Sequence, residues 1–317
     1  MHSFALIGVA GFIAPRHLAA IRETGNRLVA ALDKSDSVGI LDSYFPDAAF
    51  FTEFERFDRH VEKLRRENGQ HLDYVTICSP NYLHDAHIRF ALRVGAEAIC
   101  EKPLVVNPWN LDPLQRLEDE TGRRVCVILQ LRLHPAIREL RRRVAEETRD
   151  GKYEIDLTYV TSRGRWYYQS WKGDEDKSGG VVMNIGVHFF DMLTWIFGRP
   201  DFSSVHVLEP SRAAGYLELP RARVRWFLSL DRNDLPVPPQ TGQPATYRSI
   251  TVDGDEIEFS GGFTDLHTQS YQAILNGTHF SIADSRRAID TVYMIRTSKP
   301  IGLRGEYHPG LKGKRVG

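Results

Sequence analysis

The chain is poor in cysteine, has no net charge and contains no long apolar run. Its three cysteines are Cys78, Cys100 and Cys126, each at or near the end of an apolar run. None stands in a Cys-x-x-Cys or Cys/His spacing, so no metal site and no disulfide framework is expected. An odd, sparse count fits a reducing, cytoplasmic setting. The 41 basic and 41 acidic residues cancel. Nothing in that balance draws the protein to nucleic acid or an anionic membrane, so anionic ligands must be met by local basic groups. No segment approaches the roughly 18 apolar residues of a membrane helix. The opening run from Phe4 to Gly11 lacks a basic flank and is broken by Gly8 and Gly11. It reads as a strand entering a turn and not as a leader. Internal repeats and low-complexity tracts are also absent.

What is present is a globular composition over 317 residues, enough for two domains. Up to about residue 125 short apolar runs alternate with helical patterns. Strands are expected at Phe4–Gly8, Leu28–Leu32, Tyr74–Cys78, Ala98–Cys100 and Val125–Leu129. Helices are expected at Pro15–Thr24, Asp58–Asn68, Tyr82–Val94 and Leu111–Thr121. Such alternation calls for a doubly wound parallel sheet covered on both faces. After Pro135 the character changes. One helix, Ala136–Glu147, precedes strands at Glu154–Thr161, Val205–Leu208, Tyr216–Leu219, Val224–Leu230, Tyr247–Val252 and Glu256–Ser260, with Asp253-Gly254 as a hairpin turn. Gly186–Phe197 and Asp284–Ser298 read as helices and Asp234–Pro244 as a loop or arm. The expected fold is α/β: a Rossmann domain over residues 1–130, then an α/β domain over 131–317 with a mainly antiparallel sheet.

Gly8, Gly11 and Ala14 lie between the first strand and first helix. A dinucleotide-binding turn needs little side chain there, because the backbone approaches the pyrophosphate and the helix N-terminus points at it. The spacing Gly-x-x-Gly-x-x-Ala has a first gap one residue longer than Gly-x-Gly-x-x-Gly, and alone it equally describes a plain βα turn. Asp33, closing the second strand, supplies a carboxylate for the adenine ribose hydroxyls and would repel a 2′-phosphate, which favours NAD over NADP. Lys34 partly offsets that charge.

Four further segments carry a family resemblance: Ser79-Pro80-Asn81-Tyr82-Leu83-His84, Glu101-Lys102-Pro103, Arg132-Leu133-His134-Pro135, and Gly179-Gly180 followed by Asn184-Ile185-Gly186-Val187-His188-Phe189-Phe190-Asp191. In that order and spacing the chain resembles the oxidoreductase family of glucose–fructose oxidoreductase and inositol dehydrogenase, over nearly its whole length. Ala5–Pro15, Asp42–Pro46, Thr52–His60, Ser79–Phe90 and Cys100–Leu111 are similar to one subgroup. Its bacterial enzymes oxidise the 3-hydroxyl of UDP-N-acetylglucosaminuronate on the path to the diamino uronic acids of O-antigen and lipopolysaccharide. The resemblance implies NAD held by Gly8, Gly11, Phe12, Ile13, Asp33, Ser79, Asn81, His84, Glu101, Lys102 and Gln130. It also implies a UDP-sugar substrate and a homo-oligomer, dimer or tetramer. Whether NADH leaves freely or is reoxidised in place by 2-oxoglutarate stays open.

The residues suit that chemistry. Lys102 stands at the C-terminal end of a parallel strand, where open α/β sheets place their ligands, and can share in proton transfer. His188, at the start of a helix, titrates near neutrality and is a natural acceptor for a hydroxyl proton. Asn184 occupies a position where many relatives carry Asp. It cannot act as a base, so substrate positioning falls to it, as it does to Glu101. Arg163, Arg165 and Tyr168 lie in an arginine–aromatic loop suited to phosphate or carboxylate and to a uracil or sugar face. Arg132 is a further anion-binding candidate. Three readings compete: the nucleotide-sugar 3-dehydrogenase, a dehydrogenase of a free sugar or cyclitol, and a non-catalytic NAD or sugar sensor. The joint presence of Lys102 and His188 argues against the last.

Overall fold

The structure, a computed structural model, describes residues 1–67, 71–236, 245–257 and 265–313. The chain divides into two units, Met1–Leu133 with Thr264–Arg286, and His134–Phe263 with Arg287–Gly317.

The first unit is built on six parallel strands: β1 (Ser3–Ile7), β2 (Arg27–Leu32), β3 (Ala49–Phe51), β4 (Tyr74–Ile77), β5 (Glu97–Cys100) and β6 (Val125–Val127). Their order is β3-β2-β1-β4-β5-β6, the doubly wound arrangement whose switch point falls between β1 and β4. Every residue of β1 is buried, as a central strand covered on both faces must be. The intervening helices are α1 (Ala14–Glu23), α2 (Ile40–Tyr44), α3 (Phe54–Glu67), α4 (His84–Arg93) and α5 (Leu111–Thr121). Pro15 opens α1, and Gly122, at φ 62°, closes α5 in the left-handed region. The short β3 and α2 escaped the sequence reading because neither is long enough to show a period.

In the second unit, α6 (Pro135–Glu146) precedes β7 (Tyr153–Thr161). Three short helices follow: α7 (Arg165–Gln169), α8 (Glu175–Ser178) and α9 (Gly180–Asn184). Then come α10 (Val187–Phe197), β8 (Phe202–Leu208), β9 (Arg212–Glu218), β10 (Ala222–Ser229), β11 (Thr246–Val252) and β12 (Asp255–Glu256). The sheet order is β12-β11-β7-β10-β9-β8, antiparallel throughout except for β7 with β10. The fully buried Trp226 of β10 meets Phe190 of α10 edge-on, at 5.3 Å between centroids, and so seats that helix on the sheet. The expected Asp253-Gly254 hairpin forms with both residues at positive φ, 55° and 92°, as a two-residue primed turn requires. Residues 237–244 of the expected arm and 258–260 of the expected last strand lie outside the described residues.

The domain boundary expected at residue 130 needs a correction. The chain comes back to the first unit over residues 264–286, bringing α11 (Leu266–Leu275) and the start of α12 (Ile282–Thr297). Tyr271 and Ile274 of α11 share a core with Leu18 and Ile21 of α1 and Phe4 of β1. An apolar helical stripe looks the same in sequence whichever unit it covers, so a boundary drawn along the chain cannot see the return. Among the described residues no single helix is long and apolar enough to cross a membrane.

Candidate active site

After β1 the chain turns at Gly8, whose φ is +94°. A Cβ there would lie 2.7 Å from the Cys78 carbonyl and the Ser79 nitrogen, so only glycine lets β1 lie this close to the end of β4. Gly8 donates its N–H to the Leu32 carbonyl (2.7 Å), Gly11 to Gly8 (2.9 Å) and Ala14 to Gly11 (3.1 Å). Among the described residues the N–H groups of Phe12 and Ile13 have no acceptor. They stand just ahead of α1, where free donors and the helix dipole together favour an anion. Asp33 follows β2. Its Oδ2 accepts the Ala10 N–H and its Oδ1 the Ser35 N–H, both at 3.0 Å. Each oxygen keeps acceptor capacity. Donors for a pyrophosphate beside a carboxylate for a ribose diol fit a dinucleotide despite the longer glycine gap.

Beyond β5 comes Glu101-Lys102-Pro103, with a cis peptide between Lys102 and Pro103. Lys102 is half-buried. Glu101, expected to contact ligands, is instead turned into the protein and 5% exposed. Its Oε1 accepts from His17 Nε2 (3.0 Å) and His267 Nε2 (2.9 Å), and its Oε2 from the Lys102 N–H (3.2 Å). A buried carboxylate needs such donors, and three of them occupy both oxygens. Burial alone would raise the Glu101 pKa, but the hydrogen bonds from His17 and His267 hold it well below the carboxylate range. Burial lowers the pKa of His17, more than its hydrogen bond to Glu101 raises it. The pair is therefore a carboxylate anion and a neutral imidazole.

His84, expected at the cofactor, also has protein partners at both ring nitrogens. Its Nδ1 lies 2.7 Å from the Pro103 carbonyl oxygen and its Nε2 2.8 Å from that of Ser79, so the ring ties two strand-end segments together. Ser79 is also buried and pairs its Oγ with His87 Nδ1 at 2.8 Å. Asn81 and Gln130 are buried near the strand ends. Arg132 is not a free anion binder either. It is 4% exposed, and its guanidinium donates to Asp284 Oδ1 (3.0 Å) and the Asp284 carbonyl (2.8 Å) over the Phe280 ring. The partner sits 152 residues away in the returning segment, where no local reading could find it.

In the second unit, Asn184 at the end of α9 donates from Nδ2 to the hydroxyl of buried Tyr167 at 2.6 Å. This orients the amide and suits positioning rather than proton transfer. His188 lies in the first turn of α10, its ring edge-on to Phe189. Arg163 and Arg165 are exposed, and Tyr168 is 42% exposed. The sequence reading missed Lys172. Its ammonium lies 4.4 Å from the Trp171 ring centroid and 5.8 Å from that of Trp166. Burial, then the charge of Arg163, lowers its pKa. Among the described residues none of Arg163, Arg165 and Lys172 has a carboxylate partner. Elsewhere in this unit Arg212 meets Asp231, Arg225 meets Asp156 and Lys152 meets Glu218. A cationic group without a carboxylate partner, lying against indole faces, is suited to a polyanion with a ring.

Comparison with known proteins agrees with this arrangement. Residues 2–129 match the oxidoreductase family model with an NAD-binding Rossmann fold, and residues 151–230 match that family's C-terminal alpha/beta domain. The chain is similar to the WlbA (WbpB) dehydrogenase from Thermus thermophilus crystallised with NAD and UDP-GlcNAcA, at 50% identity and TM-score 0.92, covering 98% of this chain and 99% of that one. The same enzyme with NAD and alpha-ketoglutarate gives 51% identity and TM-score 0.92, over 97% and 99% of the two chains. D-glucoside 3-dehydrogenase of Escherichia coli (strain K12) is 28% identical over 138 residues, 42% of this chain and 38% of that protein. The match thus spans well under two thirds of that curated relative. With both domain models matched in order and a half-identical relative covered end to end, the chain belongs to the GFO/IDH/MocA oxidoreductase family.

Proposed function

We propose that the protein oxidises the 3-hydroxyl of UDP-N-acetylglucosaminuronate to the ketone, in synthesis of the diamino uronic acids of O-antigen and lipopolysaccharide. The observation that carries this reading is the half-identical, full-length likeness to a dehydrogenase crystallised with NAD and UDP-GlcNAcA. NAD, when bound, supplies the acceptor for the hydride. The N–H groups of Phe12 and Ile13 bind its diphosphate, Asp33 holds its ribose hydroxyls, and Gly8, Gly11, Ser79, Asn81 and Gln130 complete the lining. Lys102 hydrogen-bonds the reacting hydroxyl through its ammonium. His188 takes the hydroxyl proton at Nε2, its Nδ1 being buried. Asn184, held by Tyr167, orients the sugar. Arg163, Arg165 and Lys172 meet the diphosphate and the uronate carboxylate, with Tyr168 against a ring face.

2-Oxoglutarate as final oxidant belongs to the same reading. It takes up two electrons and two protons and leaves as the 2-hydroxy acid. The likeness to the complex with alpha-ketoglutarate supports it. We place the protein in the cytoplasm, in keeping with its three reduced, buried cysteines, and as a homo-oligomer, which light scattering will check.

The decisive experiment offers NAD and a panel of UDP-sugars, with and without 2-oxoglutarate, and looks for loss of two hydrogens by mass spectrometry. Oxidation of the uronate is expected. Oxidation of UDP-N-acetylglucosamine but not its uronate, or of an unactivated sugar alone, would sink the proposal.

A further inference from the structure

We infer that His17 and His267 are positioning residues that set Lys102 in place through the buried carboxylate of Glu101. The inference rests on the reading of Lys102 as the group that handles the substrate hydroxyl. Three elements converge on Glu101. His17 comes from α1, the helix that follows the glycine turn. His267 comes from the first turn of α11 in the returning segment. Lys102 itself offers its main-chain N–H. All three groups besides the lysine are buried: His17 is 0%, Glu101 5% and His267 1% exposed.

The hydrogen positions follow from the partners. Tyr271 Oη lies 2.9 Å from His17 Nδ1 and 2.7 Å from Thr76 Oγ1. With Thr76 donating to Tyr271 and Tyr271 to His17, the remaining ring proton of His17 sits on Nε2 and points at Glu101. His267 Nδ1 is buried with no partner among the described residues. A proton there would be stranded, so His267 also carries its hydrogen on Nε2, again toward Glu101. The two rings meet edge to face at 4.9 Å. Both imidazoles thus direct their Nε2–H to one carboxylate oxygen, which leaves the other oxygen for the lysine's backbone. On the far side of the lysine, His84 Nδ1 reaches the Pro103 carbonyl. The Lys102 backbone is clamped fore and aft, and the ammonium swings from a fixed base. A reacting group misplaced by about an ångström loses much of its rate.

The same three ligand atoms lie close enough to hold a metal ion. Hydrogen bonding accounts for them as they stand, since each ring nitrogen is at N–H···O distance from one shared oxygen.

The test compares His267→Leu with His267→Gln in the full chain with NAD bound, because the glutamine amide reaches where Nε2 stands and keeps the donor. In the leucine variant kcat should fall by roughly tenfold or more, with KM for the sugar nucleotide and NAD affinity within about twofold. The glutamine variant should recover most of the loss. Independently of turnover, the rate at which Lys102 is acylated by an amine-reactive ester, read by peptide mass spectrometry, should change in the leucine variant and return in the glutamine one. If the leucine variant does not fold, His267→Asn, whose shorter amide stops short of Glu101, takes its place. Unchanged kcat and unchanged Lys102 labelling overturn the inference, as do equal losses in the leucine and glutamine variants, or one equivalent of metal in the purified protein. Full activity of Lys102→Ala removes the catalytic reading instead, and the labelling arm still reports on the clamp.

Discussion

At the scale of single residues, the chemistry is shared among side chains with different environments. Lys102 and His188 are the two groups proposed to handle a proton. Replacing either with alanine should lower turnover by roughly a hundredfold or more, with NAD titration nearly unchanged. Wild-type kcat in either variant removes that residue from the mechanism. Arg163 and Lys172 are proposed to bind rather than react, so Arg163→Ala and Lys172→Ala should raise the KM for the sugar nucleotide more than they lower kcat. Steady-state kinetics decide it, and a pure kcat defect would contradict the assignment. Asp33→Ser combined with Lys34→Arg should narrow the preference for NAD over NADP, since the carboxylate that repels a 2′-phosphate is gone. A wild-type protein that already prefers NADP would refute the role of Asp33. Lys102, His188, Asn184 and Arg163 were candidates from the sequence because the motifs around them are local. What the sequence did not show is that Glu101, His84 and Arg132 also hold protein groups, because those partners, His267, the Pro103 carbonyl and Asp284, are remote in sequence.

At the scale of elements, the tightest constraint is the β1–α1 turn. Gly8→Ala places a methyl 2.7 Å from the backbone at Cys78 and Ser79 and forces an L side chain to φ +94°. Backbone cannot yield as a flexible side chain can. The substitution should cost about 1–3 kcal/mol of stability and weaken NAD binding, because the turn and the Ser79 segment must separate. A urea titration and an NAD titration of the variant check both, and wild-type values in the two would show that the turn has room. Element types were legible where apolar residues repeat with a clear period, as in α5 and β7, or form a short continuous run before a glycine turn, as in β1. The short helices α7, α8 and α9 were not. Each spans a turn or so; only α8 has a side-chain cap, from Asp174, and Gly179, at positive φ, separates it from α9.

At the scale of the whole molecule, buried histidines make stability depend on pH. Burial, with a smaller contribution from His84, lowers the His87 pKa to about 4, and burial also lowers those of His17 and His84. An unfolded histidine takes a proton near pH 6.5, whereas folded His87 resists until about 4. Between those values the unfolded chain binds more protons, so the stabilisation is complete above about 6.5 and is lost as pH falls toward 4. For His87 the loss amounts to at most about 3 kcal/mol. Glu101, whose pKa is depressed, adds to the loss at still lower pH, below the ordinary carboxylate value. Urea midpoints at pH 7.5 and 5 should differ, and His87→Gln should flatten the slope. Equal midpoints would contradict the burial of neutral rings.

The sequence by itself determined the alternation that builds the parallel sheet, the mainly antiparallel second sheet, the glycine turn with Asp33, and the order of the family motifs. Each depends on residues within a few positions of one another, where period, turn chemistry and strand-end placement act locally. Only the tertiary structure decided that residues 264–286 return to the first unit. It alone showed that Glu101 is spent on two histidines, that Arg132 is neutralised by Asp284, and that Lys172 lies against the Trp171 and Trp166 rings with the charge of Arg163 acting on it. Those outcomes depend on which charges meet after folding. Burial makes an unpaired charge costly, and the partners that relieve or withhold that cost lie far along the chain.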